Sequence, residues 1–236
     1  MQNPIIVALD VPTLPRALEL AEQLAPVVGA FKIGSELFTS VGPEVVRRIR
    51  ATGAAVFLDL KFHDIPNTVA RAVEAAVRLD VQMLTVHLSG GRQMLAAAEQ
   101  AAQAAAARLG RTPPLVLGVT VLTSLDSQAL SEVGQEANVA RQVERLAALA
   151  PAAGLRGLVC SPLELTALRQ LLPEAMQLVT PGIRADGPRS DDQKRTLSAR
   201  EAIDAGANWL VIGRPIYAAE HPRAAAEQIL TTLGKG

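Results

Sequence analysis

The sequence predicts a closed (β/α)8 barrel of the TIM type, one domain over residues 1–236, and three observations carry that prediction. Short apolar runs alternate with longer helix-like segments eight times along the chain. The runs are too apolar to leave a face in water, the pattern of parallel strands covered on both sides. The length also fits, since a single barrel of this kind takes roughly 200–250 residues. An open, doubly wound sheet is the alternative, but it needs a reversal of strand order that periodicity does not report.

The elements follow in order. A strand over Ile5–Leu9 (IIVAL) ends at Asp10, and Leu14–Leu24 has helical spacing. Ala30–Ile33 then pairs with a helix over Pro43–Arg50, Ala55–Leu60 with Asn67–Leu79, and Met83–Val86 with Arg92–Arg108. The Ala-rich stretch Ala97–Ala107 reads as an outer helix, because alanine is the best helix former. Leu115–Val119 leads to Val139–Ala150, Gly157–Val159 to Pro162–Leu172, Gln177–Val179 to Ser198–Ala205, and Trp209–Ile212 to Pro222–Thr232. No linker divides the chain. Two long connections remain, Ser124 to about Asn138 and Arg184 to about Leu197, and the second is polar with Gly187 and Pro188 inside it. Long loops in compact domains read as lids or binding loops.

Composition excludes several function classes. Lys plus Arg, 23, equals Asp plus Glu, 23, so the basic footprint of a nucleic-acid or anionic-membrane binder is missing. The lone Cys160 has no internal disulfide partner, which favours a reducing compartment. The N-terminal MQNPIIVALD lacks a basic region and its apolar run stops after five residues, so neither a secretory signal nor a membrane span is expected. The expectation is a cytoplasmic enzyme. Only four lysines occur, at 32, 61, 194 and 235, which draws attention to Lys32 and Lys61.

Polar residues gather where the predicted strands end: Asp10, Lys32, Asp59 with Lys61, His87, Thr120 to Ser124, Cys160 with Ser161, Thr180 to Arg184, and Gly213 with Arg214. Barrel enzymes place their chemistry at that end. In VFLDLKFHD, strand alternation turns Asp59 and Lys61 the same way, while Asp64 lies just past the strand and can serve this mouth or a neighbour's. With Lys32 on the adjacent strand, a Lys32–Asp59–Lys61–Asp64 array gives each charge an opposite neighbour. Its desolvation is costly, so it speaks for function more than for stability. PGIR at 181–184 and GRP at 213–215 fall in the two loops where barrels commonly bind phosphate. No histidine pair has metal-ligand spacing, and the adjacent Asp191 and Asp192 read as solvated acids, so no metal is expected. His63 reads as a positioning residue, His87 as a polar lining residue, and Trp209 and Tyr217 as packing.

These motifs resemble the orotidine 5′-phosphate decarboxylase family in its short bacterial form. DLKFHDIPNT at 59–68 is similar to the family signature, and ALD, FKIGSELF, TVHLSGG, VTVLTS, VCSPLE, TPGIR, DDQ and IGRPI extend the likeness over the whole chain. The resemblance implies decarboxylation of orotidine 5′-phosphate to UMP in pyrimidine synthesis, without a cofactor. It implies that Lys61 stabilises and protonates the C6 carbanion, that Asp59 and Asp64 flank it, and that Lys32 and Asp10 reach the ribose. Arg214, Gly213 and Gln193 would hold the phosphate with Arg184 nearby, while Ser124 would read the pyrimidine edge beside Thr123. A homodimer is implied, with Asp64 and Thr68 contributed across its interface. Two other readings stay open: a Mg²⁺-dependent sugar-phosphate decarboxylase or aldolase sharing the Asp-x-Lys-x-x-Asp core, and a non-catalytic nucleotide-phosphate binder.

Overall fold

The N-terminal strand pairs on both sides, with its sequence neighbour and with the last long strand, and this double pairing closes the sheet on itself. The computed structural model describes residues 3–184 and 196–234. The strands are β1 (Ile5–Ala8), β2 (Ala30–Gly34), β3 (Val56–Phe62), β4 (Met83–His87), β5 (Leu115–Val119), β6 (Gly157–Val159), β7 (Gln177–Thr180), β8 (Ile183–Arg184), β9 (Leu197–Ser198) and β10 (Trp209–Ile212). Eight of them form a closed parallel barrel in the order β1-β10-β7-β6-β5-β4-β3-β2, while β8 and β9 make a separate pair. The closed ring replaces the open-sheet alternative.

Around it run α1 (Leu14–Leu24), α2 (Ser35–Val41), α3 (Glu44–Ala51), α4 (Pro66–Arg78), α5 (Gly91–Arg108), α6 (Ser127–Glu132), α7 (Val139–Ala147), α8 (Leu149–Ala152), α9 (Leu165–Leu171), α10 (Ala199–Asp204), α11 (Arg214–Tyr217) and α12 (Pro222–Thr232). Local chemistry explains several starts. Proline opens α1, α4 and α12, where its missing N–H costs nothing. The Asp126, Asn138 and Ser198 side chains accept from backbone N–H groups at the first turns of α6, α7 and α10.

The structure departs from the sequence reading at three connections. The helix expected over Val139–Ala150 breaks after Ala147 into α7 and α8. Pro151 supplies the reason, since it lacks the N–H that Ala147 would accept four residues earlier and crowds that carbonyl. The segment before Pro43, to which the sequence reading assigned no element, holds α2, which stops at Gly42 with a left-handed φ of 73°. The long stretch Ser124 to Asn138 contains α6.

The barrel has two apolar layers. An outer one lies between strands and helices and includes Leu58, Leu84 and Val86. An inner one fills the barrel with Ile6, Ala30, Phe57, Met83, Leu117, Val179, Trp209 and Val211. Burying a side chain the size of Phe57, which is 1% exposed, is worth about 1.5–3 kcal/mol. Side chains alternate along a strand, so the inward rows continue upward from this plug to the next inward residues: Asp59 above Phe57, Thr85 above Met83, Lys32 above Ala30. The packed interior becomes the floor on which the polar groups stand.

Candidate active site

A pocket of about 310 Å³ opens at the C-terminal ends of the barrel strands. Its apolar floor includes Phe57, Val119, Val159 and Val211, and its polar wall carries Asp10, Lys32, Asp59 and Lys61. Pockets for small ligands run from about 300 to 1,000 Å³.

Asp59 is the centre of the polar wall. Both of its carboxylate oxygens lie 2.9 Å from Lys61 Nζ, and Lys32 Nζ stands 3.7 Å from Oδ2. Lys32 in turn reaches Asp10 Oδ1 at 3.1 Å. The side chains of Asp59 and Lys32 are each 12% exposed and that of Lys61 is 35% exposed, so the lysine presents itself to the pocket while its acid is held beneath. Gly34 makes room for this arrangement, because a Cβ there would sit 3.0 Å from Lys32 Nζ.

The backbone beneath the pair is irregular. Leu58 pairs with Leu84 and Phe62 with Val86, so β3 spends four residues where β4 spends two. Two inward residues, Asp59 and Lys61, therefore face the single inward Thr85. Lys61 adopts a left-handed φ of 50°, a conformation that costs a non-glycine residue on the order of 1–3 kcal/mol. Regular alternation, as read from the sequence, gives the shared face but not this bulge.

The phosphate-type elements lie elsewhere on the same mouth. Gly213 and Arg214 follow β10, and Pro181 and Gly182 follow β7; all line the pocket. Gly182 has φ 78°, which requires glycine. Thr123 lines the pocket, whereas Ser124 is exposed and is not among the lining residues. Asp64 and Thr68 are exposed as well. The Asp64 carboxylate accepts the Ile65 backbone N–H at 2.6 Å and is not among the residues that line the pocket, with Ile65 67% exposed beside it. Within one chain the array is thus Asp10–Lys32–Asp59–Lys61. Arg184 ends β8, and Gln193, Asp191, Asp192 and Lys194, together with most of the expected closing loop, fall outside the described residues.

Tyr217, read from sequence as packing, lines the pocket from α11, while Trp209 does pack inside the barrel. Thr85 was given no part. Its signal was its place two residues before His87 on an otherwise apolar strand, in the same inward row. Cys160 borders the pocket but is 2% exposed, and burial raises its thiol far above the ordinary range, which leaves it a poor nucleophile.

His87 ends β4 half-buried, its ring 5.4 Å from that of His63. Burial, then His63 and Lys61, lower its pKa below the ordinary 6.5, against a smaller opposing effect of Asp59. On acidification the unfolded chain therefore takes this proton first, and stability is lost as pH falls from 6.5 through the folded value. Thermal unfolding at pH 7.5 and 5.5 should show a lower Tm at the acid pH, with a smaller drop in His87→Gln. An equal drop in that variant would assign the effect to other groups.

Comparison with known proteins agrees with this geometry. A family model, Orotidine 5′-phosphate decarboxylase / HUMPS family, matches residues 3–229. A curated orotidine 5′-phosphate decarboxylase of Pseudomonas fluorescens (strain Pf0-1) is 51% identical over 232 residues, 98% of each chain. The Moorella thermoacetica enzyme of the same name is 52% identical over 233 residues, covering 98% of this chain and 92% of its own. The crystal structure of orotidine 5′-phosphate decarboxylase from Lactobacillus acidophilus superposes with a TM-score of 0.88 at 35% identity, covering 98% of this chain and 99% of that one. An eight-stranded parallel barrel, with a lysine–aspartate pair at its mouth, and relatives matched almost end to end together assign the chain to the orotidine 5′-phosphate decarboxylase / HUMPS family.

Proposed function

We propose that this chain decarboxylates orotidine 5′-phosphate to UMP and CO2 without a cofactor, as one catalytic barrel domain working in the cytoplasm. The observation that carries the reading is a lysine held at 2.9 Å by a largely buried aspartate, on an apolar floor, in a pocket that also carries Arg214. Breaking the bond from C6 to the carboxylate releases CO2 and leaves the electron pair on C6. No ring position delocalises that pair well, so the protein must meet it with charge fixed in advance. Lys61 Nζ supplies that charge and then donates its proton to C6, which gives UMP. Asp59 holds the ammonium in place so that little reorganisation remains when the charge appears.

The other roles follow from position. Lys32 and Asp10 are paired at 3.1 Å beside Asp59 and suit the ribose hydroxyls. Arg214 and the Gly213 backbone suit the phosphate, with Gln193 and Arg184 joining from the segment after β7. Thr123 and Ser124 would meet the pyrimidine. Phosphate and base contacts remote from C6 can favour the reactive, closed form. Asp64 and Thr68 are exposed at the start of α4 and suit the mouth of a second copy, which makes the working unit a homodimer.

The Asp-x-Lys-x-x-Asp core is also that of sugar-phosphate decarboxylases and aldolases, whose chemistry relies on a divalent metal to stabilise an enediolate. The curated relatives favour the orotidylate reading. Chelator-treated protein incubated with orotidine 5′-phosphate should lose the ultraviolet absorbance of the substrate at a steady rate, and Lys61→Ala should abolish that loss, a fall of at least ~10³-fold. Silence in the parent, with turnover of a sugar phosphate on adding Mg²⁺, would overturn it. The shared site has its own test. Mixing inactive Asp64→Ala with inactive Lys61→Ala should restore part of the activity, since some heterodimer sites carry both native residues. Self-contained sites would restore none.

A further inference from the structure

Thr85 has no part in the chemistry above, yet it touches both members of the central pair. It is fully buried on β4. Its Oγ1 lies 3.0 Å from Asp59 Oδ1 and 2.8 Å from the Lys61 backbone nitrogen. The direction of both bonds is fixed by chemistry: a backbone N–H can only donate and a carboxylate can only accept. The hydroxyl therefore accepts from Lys61 and donates to Asp59, a relay in which each bond polarises the next.

The register explains why a side chain is needed there. Regular alternation along β3 would turn the Lys61 N–H to the β2 side, since the Ala55 carbonyl serves β2 and the Val56 carbonyl serves β4. Within the offset between Leu58–Leu84 and Phe62–Val86 it instead meets the Thr85 hydroxyl on β4. Thr85 is the one inward residue of β4 across from the two displaced inward residues of β3, and its hydroxyl satisfies the Lys61 N–H there. It also sits beneath the left-handed turn at Lys61, whose φ of 50° aims the lysine toward Asp59. Resting on the decarboxylase reading, we infer that Thr85 is a positioning residue: its hydroxyl pins the strained Lys61 backbone and the Asp59 carboxylate together, and so sets the lysine where charge develops. Asp59 then has three hydrogen-bond donors or cations around it, Thr85, Lys61 and Lys32, and only the threonine also holds the backbone.

Two variants separate positioning from packing. Thr85→Val keeps the volume and removes the hydroxyl, while Thr85→Ser keeps the hydroxyl and removes a methyl. Thr85→Val should lower kcat about 100-fold, the scale on which a small misplacement acts, while UMP affinity changes by less than about threefold. Thr85→Ser should return kcat to within about fivefold of the parent. Amide hydrogen exchange at Lys61, followed by NMR without substrate, should speed up at least ~10-fold in Thr85→Val and stay slow in Thr85→Ser. An unchanged kcat in Thr85→Val with active parent, or unchanged Lys61 exchange, would overturn the inference. So would equal losses in both variants that track Tm, which mark a packing role. A parent with no turnover of orotidine 5′-phosphate would sink the decarboxylase reading alone, because the exchange measurement still reports whether Thr85 pins Lys61.

Discussion

The Asp59 carboxylate, gripped by Lys61 on both oxygens and approached by Lys32, is the contact on which the rest of this structure depends. Charges at the top of an apolar barrel lose much of their hydration, and an ion pair there gains little net stability. Such a pair persists only where the scaffold fixes its geometry. The barrel does so through its inner plug: Phe57, Met83 and Ala30 fill the space below, and the next inward residues on the same three strands are Asp59, Thr85 and Lys32. Packing, pleat and charge are thus one continuous arrangement.

The fixed pair also accounts for the shape of the chemistry proposed. A carbanion at C6 needs a positive group already in place, since a lysine free to swing would have to be reorganised as the charge forms. A bound acid restrains the lysine, and the bulge in β3 turns its backbone so that acid and lysine meet side by side. The cost of the left-handed residue is local. The parallel ladder resumes at Phe62 and Val86 and keeps the strand in the barrel.

How much of this was legible in the sequence depended on what each residue's neighbours revealed. The barrel strands were readable because parallel strands buried on both faces leave continuous apolar runs, and the predicted spans fall within one or two residues of those observed. Helix breaks were harder, as with Pro151, whose effect is exerted on Ala147 one turn earlier. Lys32, Asp59 and Lys61 stood out because charged residues are rare in such strands. Thr85 did not, since threonine is an ordinary β-former and its part comes from a register offset between two strands that no single segment encodes. Tyr217 was hidden in the same way by the short helix after β10. The placement of Asp64 and Thr68 outside the pocket of their own chain is a property of the turn into α4, and sequence spacing left both directions open.

The most direct measurement compares UMP with a uridylate analogue that carries an oxyanion at C6, titrated into the parent protein and into Lys61→Ala. If Lys61 is preset to meet negative charge at C6, the parent binds the anionic analogue at least ~100-fold more tightly than UMP, as transition-state mimics bind. Lys61→Ala should erase most of that difference and leave UMP affinity nearly intact. A preference that survives the loss of Lys61, or that is absent from the parent, would contradict a catalytic pair built around Asp59.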